Sequence, residues 1–118
     1  MVLKYTLAFA TALLVAAPML TTTSHAAAVV VSGAELKKLL AGKTARFPRG
    51  SRATYNADGT YKFRGRGRTE RGVWKVSGSR VCVTFNVTNF RRCDRYLKDG
   101  NQIYFRDANG NQFPVRIK

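Results

Sequence analysis

Residues 71–97 read RGVWKVSGSRVCVTFNVTNFRRCDRYL, and this stretch decides the fold. From Arg71 to Val76 and from Arg80 to Phe85, apolar and polar residues alternate, the period of a strand with one buried face. Ser77–Gly78 between them is a hairpin signal. As a two-residue loop it sets Trp74 opposite Val81 and Val76 opposite Ser79. Trp74, Val76, Val81 and Val83 then share one face, the expected core. The next turn is Asn86–Val87–Thr88–Asn89. A four-residue loop there sets Phe85 against Phe90 and Cys82 directly opposite Cys93. Opposed residues on neighbouring strands lie within reach of a disulfide, so the hairpin and a Cys82–Cys93 bridge support each other. The spacing does not fit a metal site, which needs more ligands.

The same alternation continues on both sides, broken by Ala57–Asp58–Gly59, Asp99–Gly100 and Asn109–Gly110–Asn111. It predicts about seven strands: Arg52–Tyr55, Thr60–Arg66, Arg71–Val76, Arg80–Phe85, Phe90–Leu97, Gln102–Arg106 and Phe113–Ile117. A three-residue loop at Ala57–Gly59 sets Tyr55 against Tyr61 and Ala53 against Phe63. A loop at Asn109–Asn111 puts Ile103, Phe105, Phe113 and Val115 on one face. Both assignments rest on face matching, because a one-residue slip would turn the aromatics outward. The expected fold is mainly β, an antiparallel meander closing into a small barrel or a tight sandwich.

One short helix precedes the strands. Ser32–Gly33–Ala34–Glu35 has the form of a capping box, and Leu36, Leu39 and Leu40 follow at helical spacing. Gly42 is a natural stop. The helix is expected over about Gly33–Ala41, with Lys37 and Lys38 on its wet side and its leucines on the β part. Ala27–Val31 reads as an apolar lead-in, loose or paired at an edge.

The first residues read as a targeting segment. Met1–Lys4 is a weakly basic start, and Tyr5–Met19 is apolar apart from Thr6 and Thr11. Ser24 and Ala26 are small residues at the positions a signal peptidase reads. The apolar run falls short of the roughly 20 residues a membrane helix needs. The expected organisation is a signal peptide at 1–26 and one β-rich domain at 27–118, with no transmembrane span after cleavage. The product would be periplasmic or secreted, where a disulfide persists and a small core gains from it.

Charge is the strongest compositional signal. There are 21 Lys and Arg against 6 Asp and Glu, a formal charge of +15. Losing Lys4 with the leader leaves +14, well above the ~2–8 of an ordinary small domain. Such a field draws anionic partners. Lys62, Arg64, Arg66 and Arg68 alternate, so a continuous strand would place all four on one face, opposite Tyr61, Phe63, Gly65 and Gly67. Arg52, Arg71, Lys75, Arg80, Arg91 and Arg95 are also expected to point outward. The candidate anion-binding residues are Lys62, Arg64, Arg66, Arg68, Arg91 and Arg95, since arginine suits two-pronged binding of phosphate or carboxylate. Most aromatics fall on the core face, with Tyr104 the main exception, which serves base stacking poorly. Nucleic acid therefore ranks below lipid or polysaccharide.

Catalytic chemistry is poorly supplied. The one histidine, His25, goes with the leader, and paired cysteines leave no thiolate. Glu35 is accounted for by capping, and Asp58, Asp99 and Asp107 by turns. Glu70 and Asp94 have no such role. The expectation is a non-enzyme without cofactor or metal. One register consequence stands apart: facing Phe85, Phe90 and Tyr96 inward also turns Arg92 and Asp94 inward. A buried charge needs a partner. The two can pair with each other or with Glu70, a bulge can flip them out, or Arg92 can floor a lumen for a small acidic ligand.

Leu36–Leu40, Gly42, Thr44, Gly72–Val73–Trp74, Cys82, Cys93 and Asp99–Gly100 together resemble a group of small exported proteobacterial proteins classed as domains of unknown function. That resemblance implies a short helix before a β-meander with one Trp and two Cys, and a periplasmic location; it brings no catalytic residues. The shape is also similar to small lipocalin- or avidin-like barrels, without a lipocalin signature. The leading expectation is an exported, basic binding protein for anionic envelope components: lipopolysaccharide, acidic lipid or polysaccharide. The alternatives are a barrel holding a small acidic ligand at Arg92, and a protein-interaction module.

Overall fold

The computed structural model describes residues 12, 14–18 and 28–118. Most of the expected leader, its cleavage site at Ser24–Ala26 and His25 lie outside the described residues. The elements are β1 (Val29–Val30), α1 (Gly33–Leu40), β2 (Lys43–Arg46), a 3-10 turn (Pro48–Gly50), β3 (Arg52–Tyr55), β4 (Thr60–Gly65), β5 (Arg68–Ser77), β6 (Arg80–Phe85), β7 (Arg91–Asp99), β8 (Gln102–Arg106) and β9 (Gln112–Ile117). From β2 to β9 each strand pairs antiparallel with the next, and β9 returns to pair with β2. The result is a closed eight-stranded up-and-down barrel, with β1 as an extra strand. Val29 and Val30 pair with Lys98 and Leu97 on β7. Of the two expectations for the lead-in, pairing at an edge is the one found.

Alternation places the core inside. Ala53, Tyr55, Tyr61, Trp74, Val81, Val83, Tyr96, Phe105 and Val115 are buried, joined by Leu36 and Leu40 of α1. The helix crosses one end of the barrel. Its Gly33 N–H donates to the Gly78 carbonyl in the β5–β6 turn, and Gly42 N–H donates to the Tyr55 carbonyl at the end of β3. Ser32 occupies the N-cap but makes no side-chain cap bond, so the expected capping box does not form. The bond to Gly78 ties the helix start to the barrel instead.

The turns decide the registers. The first hairpin has Tyr55 opposite Tyr61 and Ala53 opposite Phe63, as expected. The β5–β6 loop is Gly78–Ser79, because Gly78 at φ 59 supplies the first central position of a II′ turn. Trp74 therefore faces Val83, and Val76 faces Val81. In the last hairpin Phe105 pairs with Phe113 and Ile103 with Val115, because Asp107 takes the loop's N–H groups one residue earlier than expected. Both corrections move the register by two, which leaves every side chain on its expected face. Phe113 and Phe90 nevertheless stay exposed, at 41% and 60%. Both sit at the barrel end away from α1, where none of the described elements covers them.

Cys82 lies opposite Cys93 and is bonded to it. The disulfide sits on the outer face of β6 and β7, because Val81 and Val83 take the inner one. At Gly72 the backbone of β5 runs so close to β6 that an added Cβ would strike the Thr84 carbonyl.

Candidate functional site

A row of arginines crosses the outer wall. Arg116 on β9 lies opposite Arg46 on β2. Arg46 lies opposite Arg52 on β3, and Arg52 opposite Arg64 on β4. All four are exposed. Neighbouring strands are about 4.8 Å apart, so the four side-chain stems cover about 14 Å. Like charges placed directly opposite each other destabilise a sheet. Nothing nearby offsets this: among the described residues the one ion pair is Arg92–Asp94, which is elsewhere.

A groove of about 480 Å³ runs beside the row. Arg46, Arg52 and Arg116 line it together with Phe47, Pro48 and Pro114. The 3-10 turn at its rim holds Arg49 with φ 72, a left-handed conformation that costs a non-glycine residue energy. The groove combines cationic and apolar side chains in similar measure. Guanidinium groups offer paired N–H donors that fit carboxylate and phosphate, so the row can hold several anionic groups of one ligand at once.

The structure does not gather the expected residues into one patch. β4 stops at Gly65, and Arg66–Gly67 form a two-residue turn with positive φ at both positions, 52 and 72. Both central residues of an I′ turn need that conformation. The turn reverses the chain, so Arg68 pairs with Gly65 and takes the opposite face from Arg64. Lys62, Arg64, Arg66 and Arg68 therefore do not share a face. Lys62 lies on the outer wall between Thr54 and Arg71. Arg91 and Arg95 are exposed on β7, three strands from β4, with Arg95 opposite Arg106. Arg52 was legible as outward-facing, and alternation from Val115 turns Arg116 outward too, but Arg46 and the pairing that brings it beside Arg116 carried no signal. β2 is four residues with one buried apolar side chain, Ala45, and its pairing with β9 is the contact that closes the barrel.

Arg92 does face inward. Its Nε donates to Asp94 Oδ2 at 2.8 Å and an Nη to Oδ1 at 3.1 Å, a two-pronged pair. The guanidinium also lies 5.8 Å from the Phe105 ring centroid. Asp94 is almost fully buried while 41% of the Arg92 side chain meets solvent. Burial opposes the charge on Arg92, but the Asp94 carboxylate outweighs it and raises the guanidinium pKa. The expected partner choice thus falls on Asp94, with no bulge turning either residue out. Behind the pair the interior is filled by rings: Tyr55 meets Tyr61, Trp74 and Tyr96 edge-on at 5.2–6.2 Å. Among the described residues no group of His, Cys, Asp or Glu is placed to hold a metal ion. No family model matches the chain, and comparison with curated proteins and with solved structures found no match.

Proposed function

We propose that this is an exported binding protein for anionic components of the cell envelope, and that the row Arg116–Arg46–Arg52–Arg64 is its binding surface. The observation that carries the reading is the row itself: four opposed cations with no carboxylate to neutralise them. A fold tolerates that repulsion most readily where a ligand removes it. The disulfide supports an oxidising compartment. Among the described residues no helix is long and apolar enough to cross a membrane. The ligand class is lipopolysaccharide, acidic lipid or acidic polysaccharide. A small acidic ligand at Arg92 is disfavoured, because Asp94 already neutralises that guanidinium and holds its Nε and one Nη.

The test is binding of the oxidised protein to lipopolysaccharide and to a polyuronate across a salt series. Binding should weaken steeply as salt screens the wall. Combining Arg46→Ser, Arg52→Ser and Arg64→Ser should weaken it at least about tenfold, the effect of roughly 1.4 kcal/mol. Unchanged binding in that variant would reject the row as the site.

A further inference from the structure

The two ends of the barrel differ. One is covered by α1 and carries the β3–β4, β5–β6 and β7–β8 turns. The other, the uncovered end, has no described element across it and carries the 3-10 turn and the β4–β5, β6–β7 and β8–β9 connections. Each connection at the uncovered end has arginine in it or beside it: Arg49 in the 3-10 turn, Arg66 and Arg68 at β4–β5, Arg91 after β6–β7, and Arg106 before β8–β9. The same end carries apolar side chains left open to solvent among the described residues. Val87, on the β6–β7 loop, is 96% exposed, and Phe90 and Phe113 are 60% and 41% exposed.

That loop is held in shape. Asn89 N–H donates to the Phe85 carbonyl and Phe85 N–H to the Phe90 carbonyl. The Phe85 and Phe90 rings stack with centroids 6.4 Å apart. The loop therefore presents Val87 outward from a braced base, which lowers the ordering cost on contact.

We infer that the uncovered end docks on a bilayer containing anionic phospholipid, with Val87 and Phe90 entering the acyl boundary and the surrounding arginines meeting the phosphates. This rests on the anionic-envelope reading above and names which component is met at this end. A soluble polyanion needs only the cationic wall and gives no role to an exposed valine and phenylalanine. A ring of arginines around apolar tips matches a flat sheet of phosphates over hydrocarbon, the arrangement by which interfacial segments bind. Arginine suits the boundary because its stem can lie in apolar surroundings while its head stays at the phosphates.

The experiment uses the full chain and two variants, so any effect of residues 1–26 is common to all three. The first variant combines Val87→Asp with Phe90→Ser; the second is Val87→Trp. Each is mixed with vesicles of phosphatidylglycerol and phosphatidylcholine, with vesicles of phosphatidylcholine alone, and with a soluble polyuronate. In the double variant, binding to the anionic vesicles should fall about tenfold or more while polyuronate binding is unchanged. In Val87→Trp, brominated acyl chains in the anionic vesicles should quench the added indole. Trp74, which donates to the Asn56 carbonyl in the β3–β4 turn at the covered end, should stay unquenched. Unaltered vesicle binding by the double variant, or no quenching at residue 87, would overturn the docking end and leave the anionic reading standing. Failure of the unmodified chain to bind both anionic vesicles and polyuronate would overturn the two together.

Discussion

Tyr55 and Tyr96 meet through their hydroxyls at 2.8 Å inside the barrel, 41 residues apart in sequence. Burial raises the pKa of both, so the pair stays neutral and bound. Removing one hydroxyl leaves the other buried without its partner, whereas removing both leaves no polar group to satisfy. Tyr55→Phe alone should lower stability by about 1–3 kcal/mol in urea unfolding, and adding Tyr96→Phe should recover most of it. Equal, additive losses would show that the hydroxyls act independently. The sequence marked both tyrosines as inward, because strand parity reports the face a residue takes. It could not report who stands across the barrel; for Arg92 and Asp94, two residues apart on one face of β7, it left open whether they pair with each other or with Glu70, turn out at a bulge or meet a ligand.

At the scale of elements, most strands were legible from alternation and turn chemistry. β3, β6 and β8 have the expected ends, and the β6–β7 hairpin with its disulfide follows from matching Phe85 to Phe90. Two kinds of element escaped. β2 is too short and too polar to show a period, and Arg66–Gly67 continues the alternation of β4 while reversing the chain. Parity along a sequence cannot detect a two-residue turn that keeps the rhythm, so Arg68 was put on the wrong wall. Tight approach of two strands was equally silent. Gly72→Ala should lower stability by about 1–3 kcal/mol, because the new methyl must push β5 off the Thr84 carbonyl of β6. A smaller loss in urea unfolding would show that the strands can separate locally.

Across the whole molecule, lysine gathers at one end. Lys37, Lys38, Lys43, Lys98 and Lys118 lie towards the covered end together with Arg80, while arginine stands in or beside every connection at the uncovered one. Arginine keeps its charge through the physiological range, so anion binding should hold level between about pH 5 and 9 and respond to salt instead. A binding midpoint inside that range would point to a titrating group on the surface. Acid acts on the loops. Thr60 holds the Asp58 carboxyl below its ordinary 3.8, and Asn111 does the same for Asp107. A carboxylate with a depressed folded pKa adds stability above its unfolded value and loses it as pH falls through the folded one. The Thr60 and Asn111 amide signals should therefore shift only below about pH 4. Barrel closure has a further consequence when charge is screened. Molecules crowded along one polyanion lose the repulsion that keeps them apart, and in an open sheet that would invite strand-to-strand aggregation. Here every barrel strand has a neighbour on both sides, and the extra strand β1 exposes an edge two residues long. A surface coated with this protein should therefore stay a layer of separate molecules and not seed a fibril.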